Sequence, residues 1–174
     1  MTERRLLLWI RVCLVVLMLG LVVSGVTAFP LRAELAIASD LLRGSAIEAA
    51  LPDAVAWVDR VAAALADAEV RYPFLAYGTD WLAFAHLVIA VVFIGPLVEP
   101  VRNIWVIQFG VIACAGTVPL ALIAGSIRGI PLGWQLIDMS FGIVGVVPVL
   151  IAWRLTRRLE RLRQGASPAT PAIS

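Results

Sequence analysis

The chain has 174 residues, 61% of them hydrophobic and only 15% charged, with a mean hydropathy of +0.97. Soluble domains carry about a quarter charged residues, so an ordinary soluble fold is excluded. The net charge of +2 is too small for nucleic-acid binding, and the basic residues, all arginine, gather at the ends of apolar runs as they do beside membranes.

The first apolar run, Leu6 to Phe29, is closed by Pro30. It resembles a signal peptide in its leading Arg4 and Arg5 and its small triplet Val26-Thr27-Ala28. The run is too long for one, however, and Arg11 interrupts it. An uncleaved transmembrane helix is therefore expected, the first of four. The others are placed at 81–99, 104–126 and 132–155, each about the 20 residues a helix needs to cross a bilayer core. Backbone polar groups have no partner in lipid except each other, so these spans are helical.

The segment between the first two spans, residues 31–78, reads as two amphipathic helices. The first starts behind Pro30 and stops at Gly44, with Leu31, Leu35, Leu41 and Leu42 on a broad apolar face. The second starts at Pro52-Asp53, a helix-start pair, and repeats Val55, Val58, Val61, Ala62 and Leu65 at helical spacing. The segment carries seven acids against four arginines, which disfavours docking on anionic lipid.

Orientation follows from the arginines. Arg4 and Arg5, Arg102, and the group Arg154, Arg157, Arg158, Arg161 and Arg163 mark three cytoplasmic segments by the positive-inside rule. Both termini are then cytoplasmic, and residues 31–78 form an extracytoplasmic cap. The expected fold is a single all-α membrane domain, a four-helix bundle with a two-helix cap, in the cell membrane. Residues 164–174 read as a disordered tail.

Two polar sets fall in or beside the spans. His86, the only histidine, and Asp138 each lie six residues into spans entering from the same side, hence about 9 Å deep at 1.5 Å per residue. Intramembrane ionisable groups face the interior and find partners, so a His86–Asp138 hydrogen bond is expected. Gln135 precedes Asp138 on its face, with Asp80 and Arg128 at the rim. The functional reading is a proton or ligand site. The structural reading, preferred here, is interhelical glue worth about 0.6 to 2 kcal/mol per hydrogen bond. The second set is Arg11, Glu99, Asn103 and Gln108, near Arg102, on the cytoplasmic side. It offers an Arg11–Glu99 ion pair, against Arg11 snorkelling to headgroups.

Small residues mark packing faces: Gly20, Ser24 and Thr27 on span one; Gly110, Cys114, Thr117, Ala121 and Gly125 on span three; Gly142, Gly145 and Pro148 on span four. Pro96, Pro119 and Pro148 should kink their spans or free a carbonyl. Cys13 and Cys114 are far apart within apolar spans and read as small hydrophobes. A single histidine and no other convincing ligand argue against haem and zinc, so no cofactor and no metal are expected. Phosphate-loop, zinc-protease and clear Ser-His-Asp patterns do not occur. The leading functional expectation is a non-catalytic accessory or assembly subunit. Its expected partners are the lipid bilayer and another membrane protein or a second copy, with no nucleic acid. The alternatives are a small transporter or proton-linked sensor using His86 and Asp138, and a membrane enzyme acting on a lipid or quinone.

Overall fold

The computed structural model describes residues 2–166, so most of the tail expected at 164–174 lies outside the described residues. Among the described residues the chain is helical, with no strand. The helices are α1 (Glu3–Ala28), α2 (Leu31–Leu42), α3 (Ala46–Ala50), α4 (Pro52–Arg71), α5 (Ala76–Val92), α6 (Ile94–Val98), α7 (Ile104–Ile127) and α8 (Leu132–Ala166). A single 3-10 turn, Pro73–Leu75, leads into α5. Four stretches are long and apolar enough to cross a bilayer: Glu3–Ala28, Pro73–Val98, Ile104–Ile127 and Leu132–Gly165. Length and composition thus make this a multi-pass membrane protein.

The boundaries have local causes. Pro96 has no N–H, and its ring clashes with the carbonyl four residues back, that of Val92. The second span accordingly breaks there, α5 stopping at Val92 and α6 resuming at Ile94. Pro119 and Pro148 sit inside α7 and α8 without ending them. The end of α7 is a Schellman turn. Gly129 takes φ +67°, its N–H donates to Ser126 O at 3.3 Å, and Ile130 N–H donates to Gly125 O at 2.9 Å. With 35 residues, α8 is about 50 Å long, so its arginine-rich end runs well past a core of about 30 Å.

The chain divides into two compact units, one of Met1–Gly20 and Ala90–Ser174, the other of Leu21–Ile89. The core of the first is apolar: Leu6, Ile10 and Leu14 from α1, then Phe93, Val106, Ile107, Val149, Ala152 and Leu159, are buried. Its α7 and α8 pack antiparallel and close. Gly110 faces Val149, Cys114 faces Gly145, Thr117 faces Gly142, and Gly125 faces Gln135. These are the small-residue faces expected on spans three and four.

In the second unit α2 and α4 pack together over buried Ser39, Val55 and Val58. A third helix, α3, lies between them, where two were expected. Ser45 caps it by accepting from Glu48 N–H at 3.3 Å, and the Glu48 carboxylate reaches back to Gly44 N–H at 2.5 Å. That reciprocal pair is a capping box in all but the last residue. Leu31, Leu35 and Leu42 share the partly buried face of α2, but Leu41 is 74% exposed, because one residue is a 100° rotation about the axis. On α1 the close contact is made by Gly25, whose absent side chain leaves room for the Ala83 carbonyl and Leu87. Gly20 has open space around it and Ser24 is exposed, so the face expected at Gly20, Ser24 and Thr27 is displaced to Gly25.

Polar side chains clamp α2 to α4. The Ser39 hydroxyl donates to one oxygen of Asp59, Arg43 Nε donates to the other at 3.4 Å, and Arg32 pairs with Glu69. The Ser39 hydrogen bond, helped by Arg43 and opposed by partial desolvation, holds the Asp59 carboxyl below the ordinary carboxylate range. A lowered folded value means the clamp contributes fully above the unfolded value of about 3.9 and is lost as pH falls through the lower folded one. Limited proteolysis between α2 and α4 should therefore accelerate on acidification below about pH 4. Asp59→Asn should flatten that pH dependence.

Candidate functional site

The expected cytoplasmic polar set is gathered in the first unit, with a different centre from that anticipated. Arg163 of α8 donates from Nε to Glu3 Oε1 at 2.9 Å and from a terminal nitrogen to Glu99 Oε1 at 2.6 Å. One guanidinium thus bridges two carboxylates, using the forked donor geometry that suits arginine to this task. Glu99 is held by Arg163, whereas Arg11 donates from Nε to the Leu97 carbonyl at 3.2 Å. That carbonyl precedes the turn after α6, so Arg11 satisfies a helix-end acceptor. Asn103 Nδ2 donates to the Gly95 and Glu99 carbonyls at 3.1 and 3.0 Å, pinning the turn between α6 and α7. Gln108 is half-buried one turn further on, and Arg102 is exposed.

The arrangement ties Glu3 of α1 and Glu99 after α6 to α8. The Arg163, Glu3 and Glu99 side chains are 36%, 54% and 42% exposed, so solvent screens the pairs and each should contribute under about 1 kcal/mol. Arg163→Ala should lower the melting temperature by no more than a few degrees, and raised salt should shrink the difference from wild type. A large, salt-independent loss would contradict an exposed ion-pair triad.

His86 and Asp80 belong to the second unit, and Asp138, Gln135 and Arg128 to the first. His86 Nδ1 lies 2.8 Å from the Leu82 carbonyl in its own helix. A carbonyl only accepts, so Nδ1 is the donor of this contact, and the bond fixes the ring against its own helix. Six residues at 100° each set Asp80 and His86 on well-separated faces of α5. The Asp80 face also carries Tyr77, Trp81 and Phe84, and with Phe29 these line a shallow cup of about 350 Å³.

On α8, Gln135 is 4% exposed and packs over Gly125. Its Nε2 donates to Ile130 O at 2.8 Å, while its Oε1 has no hydrogen-bond partner among the described residues. Gln135 therefore ties the α7–α8 turn to the start of α8. Asp138 is half-buried one turn on, and Arg128 is exposed at the end of α7.

Arg163 as the centre of a triad, Asn103 as a turn clamp and the Ser39–Asp59 clamp went unread in the sequence. A signal existed for the first. Glu3, Glu99 and Glu160 are the acids within the arginine-rich segments, and each is paired with an arginine, Glu160 with Arg157 at 3.3 Å. Among the described residues no group of three or more His, Cys, Asp or Glu side chains is placed to hold a metal. Comparison with models of known families, with characterised proteins and with solved structures finds no match for this chain.

Proposed function

We propose that the chain is a non-catalytic accessory or assembly subunit of a membrane complex, with its spans bundled, both termini cytoplasmic and α2–α4 outside. The supporting observation is a set of exposed apolar side chains on α2 and α3. Ile37 and Leu41 on α2, and Ile47 of α3 with its C-cap Leu51, are two i, i+4 pairs with exposures of 59, 74, 53 and 59%. They stand apart from the Val55–Val58 seam. Exposed apolar pairs on a segment rich in acids fit a protein partner better than an anionic bilayer. Topology rests on the arginine distribution.

The test is mild extraction of the tagged protein, with identification and stoichiometry of what accompanies it. A stoichiometric protein partner, lost from the Ile37→Asp/Leu41→Asp variant while the variant's own melting is unchanged, is the expected result. Recovery as a lone monomer would sink the reading.

The His86 ring, hydrogen-bonded among the described residues only through Nδ1, favours a second reading, a small transporter or proton-linked sensor in which His86 and Asp138 hydrogen-bond. A double-mutant cycle on thermal stability with His86→Ala and Asp138→Asn tests that pairing. A coupling of about 0.6 kcal/mol or more is expected if they pair, and additive losses would exclude it.

A further inference from the structure

The cup at the start of α5 has the chemistry of a cation site. Tyr77, Asp80, Trp81 and Phe84 fall at i, i+3, i+4 and i+7, one face of the helix. Tyr77 and Trp81 stand edge to face, with ring centroids 5.9 Å apart and an 87° interplanar angle. Trp81 and Phe84 repeat the arrangement at 6.1 Å and 88°. These successive perpendicular rings line the cup together with Asp80. Phe29 forms another part of the lining. Its position follows from the close contact of Gly25 with Ala83 and Leu87, one turn before it, which brings the end of α1 against α5.

The cup holds one carboxylate. Asp80 takes part in no hydrogen bond or ion pair among the described residues, unlike the neighbouring Thr79 hydroxyl, which donates to Ala76 O at 2.6 Å. A carboxylate that shares a cup with four aromatic rings favours a cation, and aromatic rings favour a weakly hydrated ammonium above all. The cup sits where a membrane span begins, at the level where amphipathic aromatic rings meet lipid headgroups. Below it the apolar surface continues along α5 through exposed Val88 and Val91, a path for an acyl chain.

We propose that Phe29, Tyr77, Asp80, Trp81 and Phe84 form a binding site for the ammonium headgroup of a zwitterionic phospholipid. Asp80 takes the positive charge, Tyr77 and Trp81 flank it with ring faces, and the tails follow α5. The site is independent of the assembly surface on α2 and α3, and needs no partner.

Native mass spectrometry of the full chain in micelles tests this, with phosphatidylethanolamine and phosphatidylglycerol of identical acyl chains as probes. The wild type should retain the ethanolamine lipid preferentially. Asp80→Asn, isosteric and uncharged, should lower that occupancy by up to about fivefold, the scale of one exposed ion pair, and erase the preference. Tyr77→Leu should lower it with Asp80 intact. The melting temperature of each variant reports its folding, and Phe84→Leu replaces Tyr77→Leu if the latter does not fold. Equal retention of the two lipids by wild type, or unchanged selectivity in Asp80→Asn, would overturn the proposal. Millimolar choline chloride should not displace the lipid; displacement would assign the cup to a soluble cation and overturn the lipid assignment.

Discussion

Gly142→Leu should destabilise the protein by at least about 1–3 kcal/mol, the range for overpacking a filled interior. A Cβ at position 142 would coincide with the Thr117 hydroxyl and come within 2.5 Å of the Cys114 carbonyl. The carbonyl is backbone and cannot turn aside. The Thr117 hydroxyl is itself committed, donating to Cys114 O at 2.8 Å. The two helices would have to part, and the loss would spread along the seam to Gly145 and Gly110. Lipid tails are as apolar as the side chains, so close backbone approach and packing are what hold membrane helices together. Thermal unfolding in detergent, followed by circular dichroism, should show a drop of several degrees or more. Gly116→Leu, on the facing helix α7 with open space around its Cβ position, should melt within a degree or two of wild type. Equal stability of Gly142→Leu and wild type would contradict the α7–α8 seam.

Phe93→Ala carries the other large effect. Phe93 is 1% exposed and is the residue between α5 and α6. Its ring tip approaches Gly110, where an added Cβ would lie 2.9 Å from Cζ, with Val149 also at 3.2 Å. Removing the ring leaves a void against two helices. Phenylalanine-to-alanine changes in soluble cores cost about 3–5 kcal/mol. The lower end, about 3 kcal/mol, is expected here, because a ring released into lipid or detergent loses packing without being exposed to water. Chemical or thermal denaturation in micelles measures it. Phe93→Leu, which retains most of the volume, should recover more than half of the loss. If alanine and leucine behave alike, the ring does not fill the space between these helices.

Comparing the chain with its structure separates two kinds of information. The spans were legible because hydropathy and length act along one helix, and α7 occupies Ile104–Ile127 against an expected 104–126. The break at Val92 follows from Pro96 by covalent geometry, although the sequence reading anticipated only a kink or a freed carbonyl. The overlooked helix α3 had its own local signature in Ser45 and Glu48, hidden by its length of five residues.

Side-chain pairing was less legible. Depth along a span can be counted at 1.5 Å per residue, but pairing also needs the rotation of each helix about its axis, and one residue turns a side chain by 100°. That rotation exposes Leu41 beside half-buried Leu42 and sets Asp80 and His86 on well-separated faces of α5. Arg163 reaching Glu3 spans 160 residues, a distance across which no periodicity carries information. By itself the sequence determined that the chain is helical, that four stretches can cross a membrane, and which small residues of α7 and α8 were available for packing. Only the tertiary structure decided that Gly25 rather than Gly20 makes the close approach, that Glu99 takes Arg163, and that Asp80 stands among aromatic rings. Hydropathy and helix propensity are summed along the backbone, whereas those pairings depend on how separate helices approach and turn toward one another.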